Sequence, residues 1–240
     1  ACARPSPTPQ APGLPALAED YFTAYYRYAP SAATAYGVHE YDAQLDDLSA
    51  GAIASRRGQL HAFRVRLDSV RARGIAGSDS IDALLIGNAI DAELLELERV
   101  QGWKHNPMGY IALPGGAVHG LIKRDFAPAK ERLGSVIGRL RSVPAVLAAM
   151  RANVDNPPKE FTDLAIRIAE GSVGFYRGTV TAWAVDAAAG DTALLGEFTV
   201  ANDSAARAME SALRWLKDDL LPRSKGAYAI GPELFAAKLQ

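Results

Sequence analysis

The sequence predicts an all-α protein, a multi-helix orthogonal or antiparallel array with one long irregular loop. Three observations carry this expectation. Alanine and leucine are abundant while β-branched runs are short, a composition that leans towards helix. Apolar residues recur at three- and four-residue spacing, the period of a helix with a buried stripe. Glycines and prolines punctuate these periodic stretches where helices would stop.

The chain has 240 residues, enough for one large or two small domains. A hydrophobic share of 49%, a charged share of 22% and a net charge of -1 are ordinary for a globular protein. There is no basic excess to suggest nucleic acid and no acidic tail. No run of 18 apolar residues is present, so no membrane span is expected. Residues 1–16 differ from the rest. Pro5, Pro7, Pro9, Pro12 and Pro15 deny this stretch helical N–H groups and leave it little to bury, so it reads as a tether. Cys2, the only cysteine, sits at the start of that tether like the acylated cysteine of a bacterial lipoprotein with most of its signal peptide removed. The plainer alternative is an incidental thiol; either way no intrachain disulfide is possible.

The helical domain, residues 17–240, opens with Leu17, Tyr21, Ala24 and Tyr25 on one face, and Pro30 stops the run. A long helix is expected from about Ser49 to Arg73, with Leu60, Phe63, Leu67 and Val70 buried and Gly74 as its stop. Its other face carries Arg56, Arg57, Arg64, Arg66, Arg71 and Arg73, a solvated strip rather than a nucleic-acid surface, since no aromatic ladder accompanies it. The next helix should span about Asp79 to Trp103, capped by Asp79 or Ser80. Its apolar residues form two ridges, Ile86-Ile90-Leu94-Leu97 and Ile81-Leu85-Ala92-Leu95, which predicts burial on more than one side and a central position. Asn88, Asp91 and Glu98 follow a further line, read as a solvent strip.

Lys104 to Ala127 then breaks the pattern, with Asn106-Pro107, Gly109, Pro114-Gly115-Gly116 and Gly120. It is the expected irregular loop, and long ordered loops often carry function. His105, Asn106, Tyr110, His119 and Arg124 are its candidate ligand-binding residues. Helices should resume at Pro128, a first-turn proline, with Leu133, Val136, Ile137 and Leu140 inward and Pro144 dividing that helix from a short one. Thr162 is the expected N-cap of the next, with Phe161 and Ile166 as a staple, running past Gly171 and Gly174 to about Ala189; these glycines would allow close packing or mark a kink. Asn202-Asp203-Ser204 should start another, ended by Pro222, and Ile230 to Gln240 should begin one more.

Chemical motifs are sparse. Zinc hydrolases set two histidines on one helical face with a glutamate between them. His39-Glu40 is followed by Tyr41, Asp42 and Ala43, without a second histidine, and His61, His105 and His119 lie at no ligand spacing. There is no Gly-x-Ser-x-Gly elbow, phosphate loop or dinucleotide fingerprint. No catalytic residue and no metal ligand is therefore assigned.

Several segments in order resemble the N-terminal part of the bacterial domain-of-unknown-function 885 family, a group similar to zinc metallopeptidases. They are Tyr21-Phe22, Pro30, Ala33-Thr34, Gly37, Tyr41-Asp42 and Leu45-Asp-Asp-Leu-Ser49; Trp103 with Asn106-Pro107 and Tyr110; Arg124-Asp125-Phe126; Arg139-Leu140 with Pro144; Asn153-Val154 with Pro157-Pro158; and Gly226-Ala-Tyr228 with Gly231 and Leu234-Phe235. The resemblance implies a zinc motif, a His-Glu pair followed by Pro-Gly-His, well beyond this region. Nothing here matches it, so no cofactor is expected in this chain, although zinc is expected in the complete family protein. It further implies that this is the scaffold and cleft-wall portion of an exported peptidase-like hydrolase. Its partners would be the C-terminal half of the same polypeptide and a peptide substrate. Nucleic acid is not expected, and a membrane only through a lipid anchor on Cys2. A stand-alone, lipid-tethered helical binding module is the other reading.

Overall fold

The computed structural model describes residues 13–239. Cys2 and most of the proline-rich stretch lie outside the described residues. Helices run in the order α1 (Leu14–Tyr28), α2 (Pro30–Ala35), α3 (Ala50–Ala72), α4 (Ser78–Leu94), α5 (Gly102–His105), α6 (Pro107–Lys123), α7 (Ala129–Asn153), α8 (Lys159–Phe175), α9 (Thr181–Ala188), α10 (Thr192–Trp215), α11 (Leu221–Arg223) and α12 (Pro232–Lys238). Wide π-helical turns extend α4 through Val100, join α8 to α9 and join α10 to α11. There is no strand among the described residues.

Two apolar cores organise the array. In the larger one, α7 lies between α6 and α10, and α8 closes the layer over α6 and α10. In the smaller one, α1, α3 and α4 pack through Leu17, Tyr21, Leu60, Leu67, Ile86 and Ile90. α7 has the length and apolar content of a membrane span, but Val136, Leu140, Val143 and Met150 are fully buried inside the larger core. Pro144 lies within it without dividing it.

Local chemistry explains several boundaries. α3 begins where the Ser49 side chain accepts from Ala52 N at 3.2 Å, an N-cap worth about 1 kcal/mol. It ends before Gly74, whose φ of 86° is open to glycine. Four expected starts moved. α1 begins at Leu14 with Pro15 in its first turn, so residues 14–16 are helical. Gly77, not Asp79 or Ser80, precedes α4. α8 begins at Lys159, before Thr162. Thr162 is buried and bonds Ser224 Oγ at 2.8 Å, while Phe161 packs on Tyr228 rather than stapling the helix. α10 begins at Thr192 behind Asp191, which accepts from Leu194 N at 3.0 Å. Asn202, deep inside α10, is buried and donates to Tyr176 O at 3.0 Å, a carbonyl at the wide turn of the facing helix. Gly171 and Gly174 permit no close packing, since a Cβ at either would meet nothing within 4 Å.

The main correction concerns residues 104–127. This stretch is not an irregular loop but the short α5 and the 17-residue α6, which contains Pro114. Its composition argues against helix, yet Tyr110, Ile111, Pro114, Ala117, Val118 and Leu121 are buried against α7 and α8. That burial outweighs the propensity cost. α4 is the second correction. Ile86 and Ile90 face the small core, but Ile81 is 62% and Leu85 60% exposed, so the second ridge is uncovered and the helix is not central.

Candidate functional site

Buried arginines position the helices around a cavity on the outer side of α6. Arg132 and Arg139 sit on the inward stripe of α7, at 5% and 1% exposure. Arg132 reaches past the end of α6 and donates to Leu121 O at 3.0 Å, Arg124 O at 2.9 Å and Ala127 O at 2.9 Å, with Asp125 Oδ1 at 2.6 Å. It thereby satisfies carbonyls that a helix C-terminus leaves open. Arg139 joins three elements: Nε donates to Gln44 O at 3.0 Å, Nη1 to Ala117 O at 2.6 Å and Nη2 to Thr34 Oγ1 at 2.5 Å. Thr34 Oγ1 donates in turn to Asp42, and the other Asp42 oxygen meets His39 Nδ1 at 3.0 Å. His39 stacks on Phe126 with ring centroids 4.0 Å apart. Burial lowers the pKa of Arg139, opposed by the charges of Asp42 and Asp46. Burial raises the carboxyl of Asp46, although it accepts from Ser31 N at 3.1 Å.

These ties hold α2 against α6 and leave a cavity of about 390 Å³ between them. Ala112, Gly116 and Gly120 form its α6 wall, Ala32 and Ala35 its α2 wall, and Arg124 and Arg139 its polar side. Of the five candidate ligand residues, Arg124 alone lines it; Arg124 also donates to Ala35 O at 3.1 Å. The others serve elsewhere. His105 Nδ1 meets Asp155 O at 3.1 Å. Asn106 caps α6, accepting from Met108 N at 3.0 Å. Tyr110 is buried, donates to Trp103 O at 2.7 Å and accepts from Asn153 at 3.0 Å. His119 is exposed on α6 with its ring 6.2 Å from that of Phe175.

A second hollow, a groove of about 710 Å³, lies between α1 and α4. Phe22, Tyr25, Tyr26 and Tyr36 wall one side, Leu85, Ala89 and Ala92 the other. Among the described residues Glu93 is the one charged residue lining it, and both its oxygens are held by Arg56 at 2.8 and 2.7 Å. Arg56 is 1% exposed, with the rings of Tyr21, Tyr25 and Tyr28 centred 5.3 to 5.7 Å from its Cζ. Its Nη1 has no hydrogen-bond partner among the described residues; the three rings supply cation–π attraction instead. Burial, reinforced by Glu93, pushes Tyr28 up to about 12. Arg56 thus departs from the solvated strip expected for its helix. Arg57 and Arg64 do stay at the surface, facing Glu98 and Asp91. The signal for Arg56 was present in the sequence: it continues the buried series Ile53, Leu60, Phe63, Leu67, Val70 at three- and four-residue steps.

Among the described residues, no three His, Cys, Asp or Glu side chains converge as a metal site requires. The profile of DUF885, a family of bacterial proteins of unknown function, matches residues 30–240. The chain belongs to that family. Among solved structures, one from Shewanella oneidensis, provisionally described as a lipoprotein of unknown function, superposes with a TM-score of 0.84 at 24% identity. The match covers 94% of this chain and 41% of that one, so the DUF885 chain described here spans about two-fifths of that protein's length. At this identity the likeness is one of fold. No curated protein matches.

Proposed function

We propose that this chain is the helical scaffold portion of an exported, zinc-dependent peptidase-like hydrolase, anchored through Cys2, and that α6 forms one wall of its substrate cleft. The observation that carries the reading is the fit of nearly the whole chain onto two-fifths of a longer protein of the same fold. A scaffold role suits the side chains. Arg132, Arg139, Asn153 and Asn202 spend their hydrogen bonds tying elements together, and Arg139 joins α7 to both walls of the α2–α6 cavity. Arg124, at that cavity, offers a charge to a peptide carboxylate. Zinc, supplied by residues outside this chain, would activate the attacking water.

The test uses the complete gene product. DNA is sequenced past the codon for Gln240, and the purified product is assayed for zinc per chain and for cleavage of dipeptide and N-acyl amide substrates. One zinc per chain with amide cleavage is expected. A stop codon directly after Gln240, or a longer product that holds no zinc and cleaves nothing, overturns the proposal. A tethered module presenting the aromatic groove then becomes the better account, because that groove is the larger hollow and is apolar.

A further inference from the structure

We infer that the uncovered ridge of α4, together with the aromatic groove beside it, seats the remainder of the larger polypeptide; this rests on the scaffold reading proposed for the chain. α4 carries apolar residues on two faces. One is closed over by α1 and α3 through Ala83, Ile86 and Ile90. The other leaves Ile81, Leu84 and Leu85 at 62%, 55% and 60% exposure. Phe22 and Tyr36, at 45% and 70%, continue this surface across the groove. A contiguous apolar face of this kind marks an interface or an aggregation hazard.

The charges define what covers it. Among the described residues Glu93 is the one charged group lining the groove, and its carboxylate is engaged through both oxygens by Arg56. A cationic ligand therefore finds no free countercharge there, and the surface suits an apolar helix face. The chain also brings its own later residues to this side. α12 packs beside the end of α4 through Arg99–Glu233 at 2.6 Å and Glu96–Lys238 at 2.9 Å. Ala92 lines both the groove and the hollow beneath α12. Finally, 94% of this chain accounts for only 41% of the Shewanella protein, so the larger fold has ample chain for a covering layer.

The experiment places a cysteine at Leu85 (Leu85→Cys, with Cys2→Ser) in two preparations, residues 1–240 and the complete gene product. Maleimide labelling of the Leu85 peptide is followed by mass spectrometry. The expected result is rapid labelling in the shorter chain and labelling slower by about tenfold or more in the longer one. As a second measurement, Ile81→Gln with Leu85→Gln should leave the melting temperature of residues 1–240 unchanged and lower that of the complete product. Equal labelling in both preparations overturns the inference. So does slow labelling in residues 1–240 that depends on protein concentration, which assigns the face to a second copy. Zinc content and amide cleavage are read separately. A zinc-loaded, active product that labels fast at position 85 removes the docking inference alone. A protected Leu85 without zinc or cleavage removes the hydrolase reading alone.

Discussion

Replacing Arg139 by methionine should be among the most damaging single changes in this chain. Methionine keeps the apolar stem and removes three charged donors, at 3.0, 2.6 and 2.5 Å from their acceptors. Two of those acceptors are backbone carbonyls and the third is the buried Thr34 hydroxyl, so the change strands polar atoms away from water. Each lost hydrogen bond to a charged group contributes about 1.5 kcal/mol or more, and breaking a buried charge arrangement costs roughly 3–5 kcal/mol in all. Asp42 and Asp46 also lose their nearby positive charge. For a domain of this size such a loss lowers the melting temperature by about 10 °C. Urea unfolding followed by far-ultraviolet circular dichroism measures it, with Arg139→Lys as the control that keeps the charge but not the three-way geometry. A loss below about 1 kcal/mol would refute the view that Arg139 clamps α2, α6 and α7 together.

Three further outcomes are expected on the same physical grounds. Tyr176→Phe should leave stability unchanged or raise it by about 1 kcal/mol, because the hydroxyl is buried without a partner among the described residues; a clear loss in urea unfolding would reveal a partner. Ala189→Gly should stabilise by about 0.5–1 kcal/mol, since Ala189 holds a φ of 49° that glycine adopts without strain; calorimetry would expose the error if the melting point fell. Asp46 has a pKa raised by burial above the ordinary 3.8. The folded state therefore binds its proton more tightly, and its contribution is full below the unfolded value and lost as pH rises through the folded one. Asp46→Asn removes that loss, so the stability of the natural chain relative to the variant should decline as pH climbs from about 3.8; a flat difference across acidic pH would sink the assignment.

Much of the helical frame was legible because period and punctuation determine it. Ser49 and Gly74 bracket α3 as a cap and a stop should, and Leu60, Phe63, Leu67 and Val70 face inward. Reading failed where tertiary burial decided the outcome. The glycines and prolines of residues 107–123 advertise a loop, but a Cβ at Gly109, Gly116 or Gly120 would meet nothing within 4 Å. Those glycines are not demanded by packing, and the apolar residues between them found cover in α7 and α8. The arginine clamps were hidden by their charge, although Arg132, Val136, Arg139, Val143, Val146 and Met150 step along α7 by threes and fours as a buried stripe does. Of the residues that line the α2–α6 cavity, Arg124 was among those singled out from the sequence. The aromatic groove was not, because Phe22, Tyr25, Tyr26 and Tyr36 come together with α4 only once α1 and α2 fold back on it.

The wide turn between α8 and α9 bears on how such a chain changes length. The inward residues Ser172, Tyr176, Val180 and Ala184 succeed one another by three steps of four. On a regular helix each such step overshoots by about 40°, so the series would drift roughly 120° away from the core. The turn at Tyr176–Val180 absorbs one residue of that excess and keeps Ala184 and Ala187 inward. Deleting Gly178, exposed at the middle of the turn, would restore a regular helix without re-facing α9, at the expense of the Asn202 bond to Tyr176 O. Indels are ordinarily absorbed by loops; here a core helix can lose one residue while its downstream frame stays in phase.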